Sequence, residues 1–193
     1  MAGFLVLAVL AGCGERTSVA TPFKATDITG VDFGKNFRLT DHNGKARRLA
    51  DFRGKVVVLF FGYTHCPDVC PTTLSDLSLA MKRLGSDAGK VQVLFVTLDP
   101  ERDTPALLAQ FVPAFDSNFL GLYGNADATA GVAREFKIFY QKQESASKAG
   151  YTLDHSAGTY VFDQTGRLRL LMSYGQGAEA MAQDIRALLY AAR

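Results

Sequence analysis

The spacing of apolar positions changes along this chain, and each change marks an element. Residues 37–41 alternate apolar with polar and stop at Asp41-His42-Asn43-Gly44. Period two is the mark of a strand, and Asn-Gly is a turn signal, so this is the first arm of a hairpin. Residues 55–61 are an almost continuous apolar run, as in a strand buried on both faces. From 71 to 84 the period lengthens: Leu74, Leu77, Met81 and Leu84 fall at helical spacing, and Pro71 suits a first turn. Residues 91–98 read as a second buried strand. A helix starts at Thr104, with Pro105 at its first position and Leu107, Leu108 and Phe111 inward. Residues 119–123 predict a short strand and 128–139 a third helix. Residues 159–163 and 168–173 predict two strands joined at Gln164-Thr165-Gly166, and 178–191 a closing helix.

The order is hairpin, βαβα, short βα, ββα. Parallel βαβ units followed by an antiparallel hairpin and a helix predict an α/β, thioredoxin-like fold with an N-terminal β-hairpin extension. The chain has 193 residues, 48% apolar and 21% charged, enough for one domain with a good core. That domain is placed at residues 30–193. The net charge of +2 gives no electrostatic footprint for nucleic acid. Arg47-Arg48 is the one basic pair that stands out, and it reads as a solvated strand edge.

Residues 1–12 carry no charge and are almost wholly apolar. The run is shorter than the roughly 20 residues that span a bilayer, and reads as the core of an export signal. It ends in Leu10-Ala11-Gly12-Cys13, which looks like the lipobox of a bacterial lipoprotein. The expectation is a signal peptide over 1–12, lipidation at Cys13, and a polar tether over 13–29. The body would then sit outside the cytoplasm, on the periplasmic side, membrane-anchored through Cys13. The basic residue expected near the start of such a signal is absent; the other reading is an uncut membrane-associated segment with a spare cysteine.

Cys66 and Cys70 then remain. They follow the buried run of 55–61 and precede a helix, whose N-terminus stabilises thiolates. A disulfide closing so short a loop adds little stability, so the pair is functional rather than a staple. In an oxidising compartment it suits thiol–disulfide exchange or a soft metal. Thiolates favour Cu(I), and imidazole binds copper well. Two sulfurs and one ring nitrogen would make a three-coordinate site, whereas structural zinc prefers four ligands.

The chain resembles the Sco/SenC (synthesis of cytochrome c oxidase) family. The resemblance is carried by Phe60-Phe61-Gly62-Tyr63-Thr64-His65-Cys66-Pro67-Asp68-Val69-Cys70-Pro71-Thr72-Thr73-Leu74, by Val96-Thr97-Leu98-Asp99-Pro100-Glu101-Arg102-Asp103-Thr104-Pro105, and by Asp154-His155-Ser156. It covers roughly residues 23–189. It implies a copper metallochaperone for the binuclear copper site of cytochrome c oxidase subunit II, loaded by an upstream copper donor. Cys66, Cys70 and His155 would ligate the copper ion, as Cu(I) or Cu(II). The alternative is a thiol–disulfide oxidoreductase that reduces the client's copper-site cysteines, with Cys66 and Cys70 as catalytic residues. A peroxidase on the same scaffold ranks third.

Neighbouring residues have expectations of their own. His65 points away from its cysteine and supports the site from behind, and His42 is an exposed turn residue. Asp68 tunes the thiolate or simply makes a turn. Asp154 orients the imidazole, as carboxylates do for metal-bound histidines. Asp103 or Thr104 caps a helix, and the resemblance implies that their loop lies near the metal and aids docking.

Overall fold

The apolar run at the middle of the first cysteine-bearing unit becomes the centre of an eight-stranded sheet. The computed structural model describes residues 23–144 and 150–190. In chain order its elements are β1 (Thr26–Asp27), β2 (Arg38–Asp41), β3 (Ala46–Arg48), β4 (Val56–Gly62), α1 (Val69–Leu84), β5 (Val91–Thr97), α2 (Pro105–Phe111), β6 (Leu120–Tyr123), α3 (Ala126–Glu135), β7 (Tyr140–Glu144), β8 (Tyr151–His155), β9 (Thr159–Phe162), β10 (Leu168–Met172) and α4 (Ala178–Tyr190). The sheet order is β1-β10-β9-β4-β5-β6-β2-β3, and β7 with β8 makes a separate two-stranded sheet. β4, β5 and β6 run parallel, and every other pairing is antiparallel.

All seven residues of β4 are buried. Its alternate side chains enter two aromatic clusters. Phe60 meets Phe95, which meets Phe111 of α2. Phe61 meets Phe136 and Tyr160 on the other face. At about 1.5–3 kcal/mol for each large side chain removed from water, this one strand anchors both layers. α1 and α4 pack together beside it. The thioredoxin-like arrangement expected from the element order is therefore present, and the hairpin extension joins the main sheet through the β2–β6 pairing.

Several expectations shift. The tether expected over 13–29 is folded from Phe23 onward. Lys24 and Ala25 donate their backbone N–H groups to the buried Asp184 carboxylate at 2.7 and 2.8 Å, and β1 pairs with β10. The residues are polar because they lie at a sheet edge, not because they are free. Residues 1–22, with the expected signal and Cys13, lie outside the described residues. No helix among the described residues is long and apolar enough to cross a membrane.

The third helix is earlier than expected. It begins at Ala126, because the Asn125 side chain accepts from Ala128 N–H at 2.9 Å. It ends at Glu135, because Lys137 turns left-handed (φ 55°) and Ile138 N–H reaches Ala133 O at 2.8 Å, a Schellman-type stop. The β7–β8 hairpin was not foreseen. Its first strand, Tyr-Gln-Lys-Gln-Glu, is mostly exposed and carries no apolar alternation. Arg47 is also less free than a solvated edge residue: its Nε donates to buried Asp41 at 2.7 Å and its guanidinium lies over Phe52.

Asp184 collects three donors, the third being Gln176 Nε2 at 2.8 Å, while 1% exposed. Asp184→Ala would leave buried donors unpaired and should cost about 3 kcal/mol. Urea denaturation should show a lower midpoint at unchanged slope. A loss near zero would mean that the N-terminal segment is not held by this carboxylate.

Candidate metal centre

β4 ends at Gly62, and the chain must turn at once into α1. Cys66 sits on that turn and Cys70 is the second residue of the helix. Cys70 is fully buried, while Cys66 is half-buried. Gly62 is what lets the Cys70 sulfur lie so deep: a Cβ there would stand 2.7 Å from Cys70 Sγ and 2.9 Å from the Phe95 ring.

The two sulfurs are unequal. The Cys66 sulfur faces the open N-terminus of α1, where backbone N–H groups and the helix dipole favour negative charge. The Cys70 thiol donates to it first of all, and the backbone N–H groups of Asp68 and Cys70 also point at it. Together they outweigh burial and hold Cys66 down at about 4. The Cys70 N–H to Cys66 Sγ distance is 3.4 Å. The same hydrogen bond to Cys66, then burial, pushes the Cys70 thiol up. At neutral pH the pair is thus a thiolate at the surface and a thiol beneath it.

His155 ends β8 and reaches the pair from the other side, with Nε2 3.7 Å from Cys70 Sγ. Its Nδ1 lies 3.0 Å from the Ser156 carbonyl oxygen. A carbonyl only accepts, so Nδ1 carries the proton and Nε2 presents its lone pair to the sulfurs. Tyr63 stands edge-on to the imidazole, with ring centres 5.9 Å apart. Its hydroxyl accepts from Leu153 N–H at 3.2 Å, tying β8 to the cysteine turn. A shallow pocket of about 310 Å³ opens over Cys66, Pro67, Val69, Leu153 and His155.

The ligand atoms of Cys66, Cys70 and His155 all lie within 4.8 Å of one another. With metal–sulfur bonds near 2.3 Å and metal–nitrogen bonds near 2.0 Å, the values for zinc, atoms sharing one ion lie at most about 4.6 Å apart. Three donors around one ion in a plane lie about 4 Å apart at these bond lengths, so the group would close by up to about 1 Å to hold one. Two sulfurs and one imidazole are soft donors, suited to copper in its reduced state.

The residues around the three sort differently from expectation. Asp154 is exposed and does not orient the imidazole, because strand alternation turns it away and the Ser156 carbonyl holds Nδ1 instead. His65 does point away, its Nδ1 being 3.0 Å from Thr64 Oγ1 and 3.7 Å from Asp103. His42 is half-buried, not a free turn residue: its Nδ1 accepts from Gly121 N–H at 3.0 Å. Asp68 acts on Cys66 through its backbone N–H. Thr104 caps α2, accepting from Leu107 N–H at 3.2 Å. Asp103 is buried and holds the cysteine turn, accepting from Thr64 N–H and Oγ1 at 3.0 and 2.6 Å. Sequence reasoning missed this role of Asp103, as well as the part of Tyr63.

The family model described as SCO1/SenC matches residues 25–190. The chain belongs to the SCO1/SenC family. This SCO1/SenC chain is 39% identical over 153 residues to a bovine protein, "Protein SCO2 homolog, mitochondrial", covering 78% of this chain and 58% of that one. It thus spans well under two thirds of that relative's length. Among solved structures, ScoI of Bradyrhizobium japonicum with copper bound is 39% identical, with a TM-score of 0.75, over 81% of this chain and 99% of that one. Apo Sco1 of Thermus thermophilus is 40% identical, with a TM-score of 0.77, over 86% and 97%.

The thiol asymmetry gives a pH signature. Alkylation at Cys66 should proceed at a nearly constant rate from neutral pH downward. It should fall only as pH drops through about 4, where the thiolate takes up its proton. Following iodoacetamide labelling of Cys66 by mass spectrometry against pH checks this. A rate that falls already from pH 9 toward pH 7 would contradict it.

Proposed function

We propose that this SCO1/SenC chain is a copper metallochaperone for assembly of the binuclear copper site of cytochrome c oxidase. Copper is its cargo rather than a resident cofactor. The observation that carries the reading is the meeting of Cys66, Cys70 and the Nε2 lone pair of His155 within 4.8 Å. The copper bound to the similar Bradyrhizobium ScoI supports it. The client would be cytochrome c oxidase subunit II, and an upstream donor would load the site. The body would stand outside the cytoplasm, anchored through lipidated Cys13.

Each residue has a part set by its surroundings. Cys66 is already ionised, so it can accept copper from a donor without first losing a proton. Cys70 gives up its thiol proton as the ion arrives, and His155 completes the shell. Cys66 is the more open sulfur, so an incoming client thiolate meets the ion beside it and displaces one ligand at a time. His155 is the ligand that protonation can release, because a metal needs the neutral ring.

The sulfur asymmetry also fits the oxidoreductase reading. Cys66 thiolate would attack a client disulfide, forming a mixed disulfide and releasing one client thiolate. Cys70, losing its proton, would then attack Cys66 Sγ. The second client thiol leaves, the Cys66–Cys70 disulfide forms, and two electrons pass to the client. Both jobs would use the same two sulfurs.

The discriminating experiment is copper(I) titration of the reduced chain against a competing chelator, beside His155→Ala. One copper per chain, held at least about tenfold less tightly in the variant, supports the chaperone. No competitive binding, with ready cycling of the Cys66–Cys70 disulfide, would leave the oxidoreductase.

A further inference from the structure

The loop between β5 and α2 touches both halves of the thiol–imidazole group and contributes no atom to it. On the thiol side, Asp103 grips Thr64, two residues before Cys66, and accepts from Thr97 Oγ1 at 2.5 Å. On the imidazole side, Arg102 lies flat over Tyr151, the first residue of β8, 3.5 Å from guanidinium carbon to ring centre. Arg102 Nη1 donates to the Tyr151 carbonyl oxygen at 2.9 Å. The Tyr151 hydroxyl donates to Asp99 Oδ1 at 2.7 Å, and Arg102 Nε donates to Oδ2 of the same carboxylate at 2.5 Å. Asp99 is 2% exposed. Lys142 of β7 also lies over the Tyr151 ring, at 4.6 Å, and pairs with Glu101. Tyr151 is therefore held at its ring, its hydroxyl and its carbonyl.

This matters because the imidazole comes from the weaker piece of the fold. β7 and β8 share no ladder with the main sheet, and a lone two-stranded hairpin is marginal in water. Something must fix it. Tyr151, Leu153 and His155 share one side of β8 by strand alternation. Leu153 N–H is held by the Tyr63 hydroxyl, and Tyr151 by Asp99 and Arg102. Charge-assisted hydrogen bonds to a buried carboxylate are about twice as strong as neutral ones. Between the two ligand-bearing segments, then, stands one loop with a carboxylate turned to each.

We infer that Arg102 and Tyr151 are positioning residues for His155. Clamped by Asp99, they dock the β7–β8 hairpin so that the imidazole stands at metal-binding distance from Cys66 and Cys70. The inference rests on the Cys–Cys–His reading proposed above. The loop whose sequence reads as a helix cap is thus a bracket between the two halves of the site.

The test is copper(I) affinity of the reduced full chain carrying Tyr151→Phe or Arg102→Gln, each measured with His155 present and in a His155→Ala background. The bracket predicts a loss of about tenfold with His155 present, in the range seen when groups supporting a metal ligand are removed. It predicts less than about twofold once His155 is gone, because the effect travels through that ring. In the metal-free protein the imidazole NMR signals of His155 should shift in Tyr151→Phe, while those of His42 and the alkylation rate of Cys66 stay put. Equal losses in both backgrounds, or no loss in either, would overturn the bracket. If His155→Ala alone leaves affinity unchanged, the metal reading fails, and the imidazole signals decide alone: a shift confined to His155 supports the bracket, none overturns it. Tyr151→Phe keeps Asp99 paired with Arg102, so the test survives if Arg102→Gln fails to fold.

Discussion

Three candidate ligand atoms lie within 4.8 Å of one another, and they arrive on two independent pieces of backbone. The sulfurs come from the turn after β4 and from the first turn of α1. The imidazole comes at the end of β8, in a hairpin that shares no ladder with that sheet. The rest of the site exists to make these two pieces agree. Gly62 admits the Cys70 sulfur against the strand, Tyr63 receives Leu153 N–H, the Ser156 carbonyl selects the tautomer, and residues 99–103 reach both sides.

The same geometry makes the two thiols chemically different. Cys66 lies half-open at a helix N-terminus with hydrogen bonds aimed at it, so its charge is stabilised. Cys70 lies under it, fully buried, and keeps its proton to donate. A surface thiolate over a buried thiol suits stepwise capture and release of a soft ion, and also suits dithiol exchange. This is why one site supports both readings of its chemistry.

Much of the fold was legible because its signals are local. The apolar run of 55–61 reads as a buried strand by its length and β-branched and aromatic content, and the helix after it is read from Leu74, Leu77, Met81 and Leu84, all of them buried. Cys66 and Cys70 were legible from their spacing after a buried strand, and His155 from the family resemblance that the three motif blocks carry. What the letters hid was long-range. Residues 140–144 look like a polar loop, since their partner strand, not their own burial, makes them a strand. Asp154 stands next to the histidine in sequence, but strand alternation sends it to the opposite side, and a backbone carbonyl takes the place expected for it. His42 looks exposed in a turn until β6 brings Gly121 to it. Asp99, Arg102 and Tyr151 meet across roughly fifty residues of chain, a separation at which no period or cap gives a hint.

On the proposed reading, a histidine from one segment and two cysteines from another share a single ion. X-ray absorption at the copper edge, on reduced protein loaded with one equivalent of copper(I), reads that coordination shell directly. Two sulfur neighbours and one nitrogen neighbour from an imidazole are expected, with the nitrogen lost in His155→Ala. A shell of two sulfurs alone in the unaltered protein would contradict it, because His155 would then stand beside the metal without holding it.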